Sequence, residues 1–175
     1  MQSERVSRVL PGLAVVFLTC LVIFGHVSKT FFVPYEVKQV SMNPGLVEGD
    51  TVLASALPTF EYDTIVTTDA WAEDLYVKRL IGKPGDTIEF VDGQLYRNGE
   101  AIDEPQTIRD EGDTYSISLG EDEYWLLGDN RPRSADSRAF GAVNREDITS
   151  QVWAQLTHTP MPEAPTRQAG HFAKG

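Results

Sequence analysis

The sequence predicts a mainly β body carried behind one N-terminal membrane-spanning helix. Three observations predict it. Residues 9–28 form an uncharged apolar run. After residue 30 the chain breaks into short alternating segments separated by Gly, Pro, Asn and Asp. Beyond the apolar run no segment keeps a 3.6-residue hydrophobic period.

The run reads VLPGLAVVFLTCLVIFGHVS, and it meets the roughly 20 residues a helix needs to cross hydrocarbon. Pro11 and Gly12 fall in its first turn, where proline is tolerated. A cleavable secretory signal has a shorter apolar region, about 7–15 residues, and ends at an A-x-A-like site. Gly25-His26-Val27-Ser28-Lys29 supplies no such site, and Phe17-Leu18-Thr19 before Cys20 matches a lipoprotein cleavage site poorly. A retained anchor is therefore expected. Arg5 and Arg8 on one flank are matched by Lys29 and Lys38 on the other, so charge barely orients it. The expected division is a short N-terminal segment at 1–8, the anchor at 9–28, a β body at 31–156, and a tail at 157–175 rich in Pro and small polar residues.

Within the body, FFVPYEV, TVLASAL, TIVTT, YVKRLIG, TIEFV, QLYRNG, YSISL and EYWLLGD read as strands. Turn signals separate them at Glu48-Gly49-Asp50, Lys83-Pro84-Gly85-Asp86, Asp92-Gly93 and Asn98-Gly99. The last two are tight-hairpin dipeptides. The expected body is a compact Greek-key or barrel-like array.

Composition excludes several classes of function. The formal net charge is −11, from 26 acidic and 15 basic residues, which argues against nucleic acid because phosphate binding needs clustered Lys and Arg. One cysteine allows neither an internal disulfide nor a thiolate zinc site. His26 ends the apolar run, and His158 and His171 lie in the tail. A serine nucleophile here would need a base other than histidine.

Three segments carry candidate chemistry. In Val40-Ser41-Met42-Asn43-Pro44-Gly45-Leu46-Val47-Glu48-Gly49-Asp50 a serine follows a strand and precedes a Pro-Gly turn, a setting that can expose its hydroxyl. In Tyr76-Val77-Lys78-Arg79-Leu80-Ile81, period-2 alternation puts Tyr76, Lys78 and Leu80 on one face and Val77, Arg79 and Ile81 on the other. A lysine on an apolar face is unusual, because lysine is almost never fully buried unless paired. The plain reading is an edge lysine that snorkels to water. The third segment, Gly128-Asp129-Asn130-Arg131-Pro132-Arg133-Ser134-Ala135-Asp136-Ser137-Arg138-Ala139-Phe140-Gly141, is a dense polar loop after an apolar strand. Local Asp–Arg pairs can make such a loop rigid.

Taken together the three segments resemble the type I signal peptidases. SMNPGLVEGD is similar to that family's nucleophile motif, YVKRLIGKPGD to its lysine motif, and GDNRPRSADSRAFG to its third signature. Tyr62-Asp63-Thr64-Ile65-Val66 resembles its short G-D-I-V element, and order and spacing agree over about residues 31–156. Gly45 stands where Thr is usual, Tyr62 where Gly is, and Pro132-Arg133 where Asp-Asn is. Gln39 stands where many relatives have Ser or Gly.

The resemblance implies a compact signal-peptidase or LexA-like β fold and a membrane-bound serine endopeptidase with a Ser–Lys dyad. Ser41 would be the nucleophile and Lys78 the general base. Ser134 would hydrogen-bond the lysine nitrogen, and Asp129, Asp136 and Arg138 would brace the loop. Gln39 is a candidate oxyanion donor from its position two residues before Ser41. Tyr35, Val37, Met42, Tyr76 and Val77 would line shallow pockets for small residues before the cut. The implied partners are signal-peptide-bearing precursors and the lipid bilayer. No metal or cofactor is implied. The implied location is the inner or plasma membrane, single-pass, with the N-terminus cytoplasmic and the β domain outside. Other readings are a specialised Ser–Lys processing protease of the pilin or conjugation type, and a membrane-tethered β binding module without catalysis. A self-cleaving repressor is disfavoured by the anchor and the lack of a DNA-binding region.

Overall fold

The computed structural model describes residues 32–71, 75–109 and 114–157, together with 15, 17–22 and 25. Those last few are all helical, and Thr19 Oγ1 donates to the Val15 carbonyl one turn back. No helix among the described residues is long and apolar enough to cross a membrane. The rest of the expected anchor, segment 1–8, all three histidines and the tail from 158 lie outside the described residues.

The body is mainly β, in two antiparallel sheets. The larger has seven strands in the order β1-β2-β11-β3-β4-β9-β10. These are β1 Phe32–Glu36, β2 Thr51–Ser55, β3 Ile65–Thr68, β4 Tyr76–Gly82, β9 Glu123–Leu127, β10 Val143–Asn144 and β11 Ile148–Gln155. The smaller runs β7-β6-β5-β8, with β5 Thr87–Val91, β6 Gln94–Arg97, β7 Glu100–Ala101 and β8 Tyr115–Ser118. A single turn of α-helix, α1 (Ser137–Phe140), follows β9. The expected mainly β body is present, and the Greek-key or barrel-like array takes the form of two sheets.

Local chemistry explains the turns. Asp92-Gly93 and Asn98-Gly99 take positive φ at both positions, as tight hairpins require. Gly85, at φ +84, closes the turn in which the Asp86 N–H donates to the Lys83 carbonyl.

Strand alternation divides the core. On β9, Trp125 and Leu127 join Ile81, Ile88, Phe90, Leu95 and Leu119 between the two sheets. Tyr124 and Leu126 point the other way, with Val66, Leu80, Val143 and Ile148. A third cluster of Val37, Met42, Leu46 and Val52 lies under the loop between β1 and β2. The large sheet is thus buried on both faces around β4, the strand that carries Lys78.

Candidate active site

The β1–β2 loop presents Ser41 because its apolar residues are nailed down on either side. Met42, Leu46 and Val47 are buried. The Leu46 N–H donates to the Met42 carbonyl at 2.8 Å, which tightens the turn after the serine. The Val47 N–H donates to the buried Asp50 carboxylate at 2.8 Å, and Gln155 Nε2 on β11 donates to the same oxygen at 2.7 Å.

Lys78 is fully buried, so the snorkelling edge lysine is ruled out. Interior β4 pairs with β3, with Val66 opposite Lys78, and with β9 from Arg79 onward. Lys78 Nζ lies 2.9 Å from Ser41 Oγ and 2.9 Å from the Val77 carbonyl. Ser41 itself is 6% exposed. Burial pushes the Lys78 amine down from 10.5 to about 8, against a smaller opposing pull from the Asp136 carboxylate. The geometry is that of an activated hydroxyl: an amine able to lose its charge near neutrality, within hydrogen-bond reach of an alcohol.

The loop after β9 holds this pair in register. The Asn130 N–H donates to the Ser41 carbonyl at 2.9 Å, and Asn130 Nδ2 to the Val40 carbonyl at 3.2 Å. Asp129 takes a two-point grip from Arg79, Nε at 2.8 Å and Nη2 at 2.6 Å. Asp136 caps α1 and accepts from the Gly128 N–H at 3.0 Å and from Arg138 Nε at 2.9 Å. Arg138 Nη2 also reaches the Arg131 carbonyl at 2.6 Å. The Asp–Arg pairs expected to stiffen the loop are formed.

Two expectations meet different geometry. Ser134 lies beside Gly128, but its buried hydroxyl makes no hydrogen bond. The amine contacts the Val77 carbonyl in addition to Ser41, where Ser134 was expected. Tyr76 does not line the groove beside Ser41. It packs edge-on against Trp71 at 5.5 Å and against Phe140 at 6.3 Å. The groove, of about 300 Å³, is lined by Ser41 with Tyr35, Val37, Met42 and Val77, four of the five expected residues, and also by Gln39. Glu36, Lys38 and Leu75 complete it.

Sequence reasoning missed a buried ion pair behind the loop. Glu104 and Arg131 are both buried and bonded through Arg131 Nη2. Burial raises the Glu104 carboxyl, with Arg131 opposing. Arg131 Nε also donates to the Gly128 carbonyl at 3.0 Å. Backbone bonds from Ile108 to Asp129 and from Arg131 to Ile108 tie the same segment to the loop. Glu104 stands in an irregular stretch with no motif around it, so only coordinates reveal its partner. Gly128 was legible within its motif but not for its reason. A Cβ there would collide with Ser134 Oγ and come within 2.5 Å of the Ser41 carbonyl.

A family model described as "Signal peptidase, peptidase S26" matches residues 10–156. Signal peptidase IB of Staphylococcus aureus strain N315 is 32% identical over 93% of this chain and 98% of that protein. Signal peptidase I V of Bacillus subtilis strain 168 is 31% identical over 73% of this chain and 87% of that protein. A crystal structure of a signal peptidase I from Enterococcus faecalis V583 aligns at 30% identity over 54% of this chain and 96% of that one, with a TM-score of 0.47.

Proposed function

We infer the chemistry from the family: this chain belongs to the signal peptidases of peptidase family S26 and is a type I signal peptidase, a serine endopeptidase acting on signal-peptide-bearing precursors. Ser41 is the nucleophile and Lys78 its general base. One observation carries this reading: a fully buried amine lies 2.9 Å from a serine hydroxyl. A lysine at 10.4 is neutral in about one copy in two thousand at pH 7. At about 8 the neutral fraction is about one in ten. The neutral amine takes the Ser41 proton as Oγ attacks the scissile carbonyl, then returns it to the leaving amine. Lys78 next takes a proton from a water whose oxygen attacks the acyl carbonyl, and returns it to Ser41 Oγ as the acyl–Oγ bond breaks and the carboxylic acid product leaves.

The Ser41 N–H and the Gln39 side chain are the proposed oxyanion donors. Gln39 has a place in the wall of the groove that favours this role. Gln39→Ala should then lower kcat by about 10²–10³; unchanged turnover removes the assignment. Ser134 is proposed to orient the lysine nitrogen once the proton has moved. Its buried, unpaired hydroxyl is available for that bond. Asp129, Asp136 and Arg138 hold the loop and take no part in proton transfer.

The substrate is proposed to add as an extended strand beside β1, an edge strand whose partner in the sheet is β2. Val37 uses its N–H and C=O on Asp50 and Gly49, so the amides of Glu36 and Lys38 face the open side. Val37, Met42 and Val77 leave shallow apolar space suited to small residues before the cut. Residues 9–28 are proposed as a single membrane anchor, N-terminus inside, which holds the body on the outer face near bilayer-bound precursors. The test is processing of a signal-peptide-bearing precursor by the full chain, by Ser41→Ala and by Lys78→Ala. Both variants should fold and fail to cleave; turnover by either removes the dyad.

A further inference from the structure

Three aromatic rings from separate parts of the chain meet beside the dyad. Trp71 lies beyond β3, Tyr76 opens β4, and Phe140 ends α1. Their centroids are 5.5 Å apart for Trp71–Tyr76, 5.3 Å for Trp71–Phe140 and 6.3 Å for Tyr76–Phe140. Lys78 Nζ is 5.4 Å from the Tyr76 ring. The outermost ring, Phe140, is 48% exposed. Trp71 keeps its indole N–H buried without a hydrogen bond, so packing holds this ring in place, not its polar group.

We propose that Trp71 and Phe140 are positioning residues of the proteolytic reaction: with Tyr76 they form a three-ring wall that keeps water from the Lys78 amine. The inference rests on Lys78 as the base. A ring this close to an ammonium also attracts it weakly, which opposes neutralisation. Tyr76 therefore acts in both directions, whereas the two rings behind it contribute by excluding water.

Among the described residues, the charges facing the amine are few. Asp136, at the cap of α1, favours the ammonium, but its carboxylate is shared among Gly128 N–H, Arg138 N–H and the Arg138 guanidinium. β4 offers the Val77 carbonyl and the Tyr76 phenol, and the β1–β2 loop offers the Ser41 hydroxyl. On β3, Val66 faces Lys78, while the hydroxyls of Thr67 and Thr68 are engaged with Ser150 and with the Asp147 carbonyl. Burial outweighs the pull of Asp136 on this amine, so access of water governs where it titrates.

The test is the pH profile of kcat/KM between pH 6 and 10.5 for the full chain in detergent, cleaving a signal-peptide-bearing precursor. Wild type should show an acidic limb near pH 8. Phe140→Ala and Trp71→Ala should each move that limb up by about one unit, so that kcat/KM at pH 7 falls about tenfold and returns towards wild type near pH 10. Phe140→Leu, which restores bulk, should bring the limb back. Trp153→Ala, which removes an exposed ring on β11, should leave it in place. A lower plateau at every pH with an unmoved limb in Phe140→Ala overturns the wall. That variant removes a half-exposed ring, so it remains decisive if Trp71→Ala does not fold. Turnover by Lys78→Ala, or a wild type with no limb near 8, would instead count against the dyad.

Discussion

Replacing Lys78 with methionine should abolish turnover and make the protein more stable at neutral pH. The amine titrates at about 8 in the folded chain and at 10.5 ordinarily. At about 1.4 kcal/mol per pKa unit, holding it charged in the folded state at pH 7 costs about 3 kcal/mol. The sign follows from proton counting. Between pH 8 and 10.5 the unfolded chain binds more protons at this site, so wild-type stability rises with pH across that window. Methionine removes the titration but also the hydrogen bonds to Ser41 and to the Val77 carbonyl, each about 1 kcal/mol. The variant should therefore gain about 1–2 kcal/mol at pH 7. By pH 10.5 the balance should shift by about 3 kcal/mol towards wild type, leaving the variant about 1–2 kcal/mol the less stable of the two. Guanidinium unfolding of both full-length proteins in detergent at pH 7, 8.5 and 10.5 reads this directly. A stability difference that does not change with pH would mean that Lys78 carries no shifted titration.

Gly128→Ala should lower kcat by at least about 10² and destabilise by about 1–3 kcal/mol, since the new methyl meets Ser134 Oγ and the Ser41 carbonyl; precursor kinetics and denaturant titration check it. Glu104→Ala strands the buried Arg131 and should cost about 3–5 kcal/mol, whereas Glu104→Met with Arg131→Met should recover most of it; unfolding midpoints of the two variants decide. Val77→Trp fills the groove beside Ser41 and should raise KM for a precursor more than it lowers kcat; an unchanged KM would exclude this groove as the binding site.

Local chemistry made much of the body legible. The hairpins at Asp92-Gly93 and Asn98-Gly99 needed only the positive-φ preference of those dipeptides, β4 showed in its period-2 pattern, and β9 in its short apolar run. β11 was not read as a strand, because Thr149, Ser150 and Gln151 break the apolar pattern. Yet its first residues contact β3 through hydroxyls: Thr67 pairs with Ser150 and Thr149. The division into two sheets was invisible for a different reason: it depends on which side of β4 each cluster packs. At the site, the Ser41–Lys78 pairing was implied by the family resemblance of the motifs, and the loop braces by the density of Asp and Arg. Glu104, Asn130 and the ring contacts of Trp71 depend on long-range placement that no local pattern encodes. The family resemblance put Tyr76 in the groove, and it carries no information on Trp71 and Phe140, which claim that ring.

Proton transfer from Ser41 requires that the amine beside it gives up its charge near neutral pH. Carbon-13 labelling of lysine Cε, with Lys78 assigned by its loss in Lys78→Met and followed by NMR in the folded Ser41→Ala protein, measures this without turnover. A midpoint near 8 for Lys78 is the predicted result. A Lys78 midpoint at the ordinary lysine value of about 10.4 would mean that the amine beside Ser41 keeps its charge and is not the base.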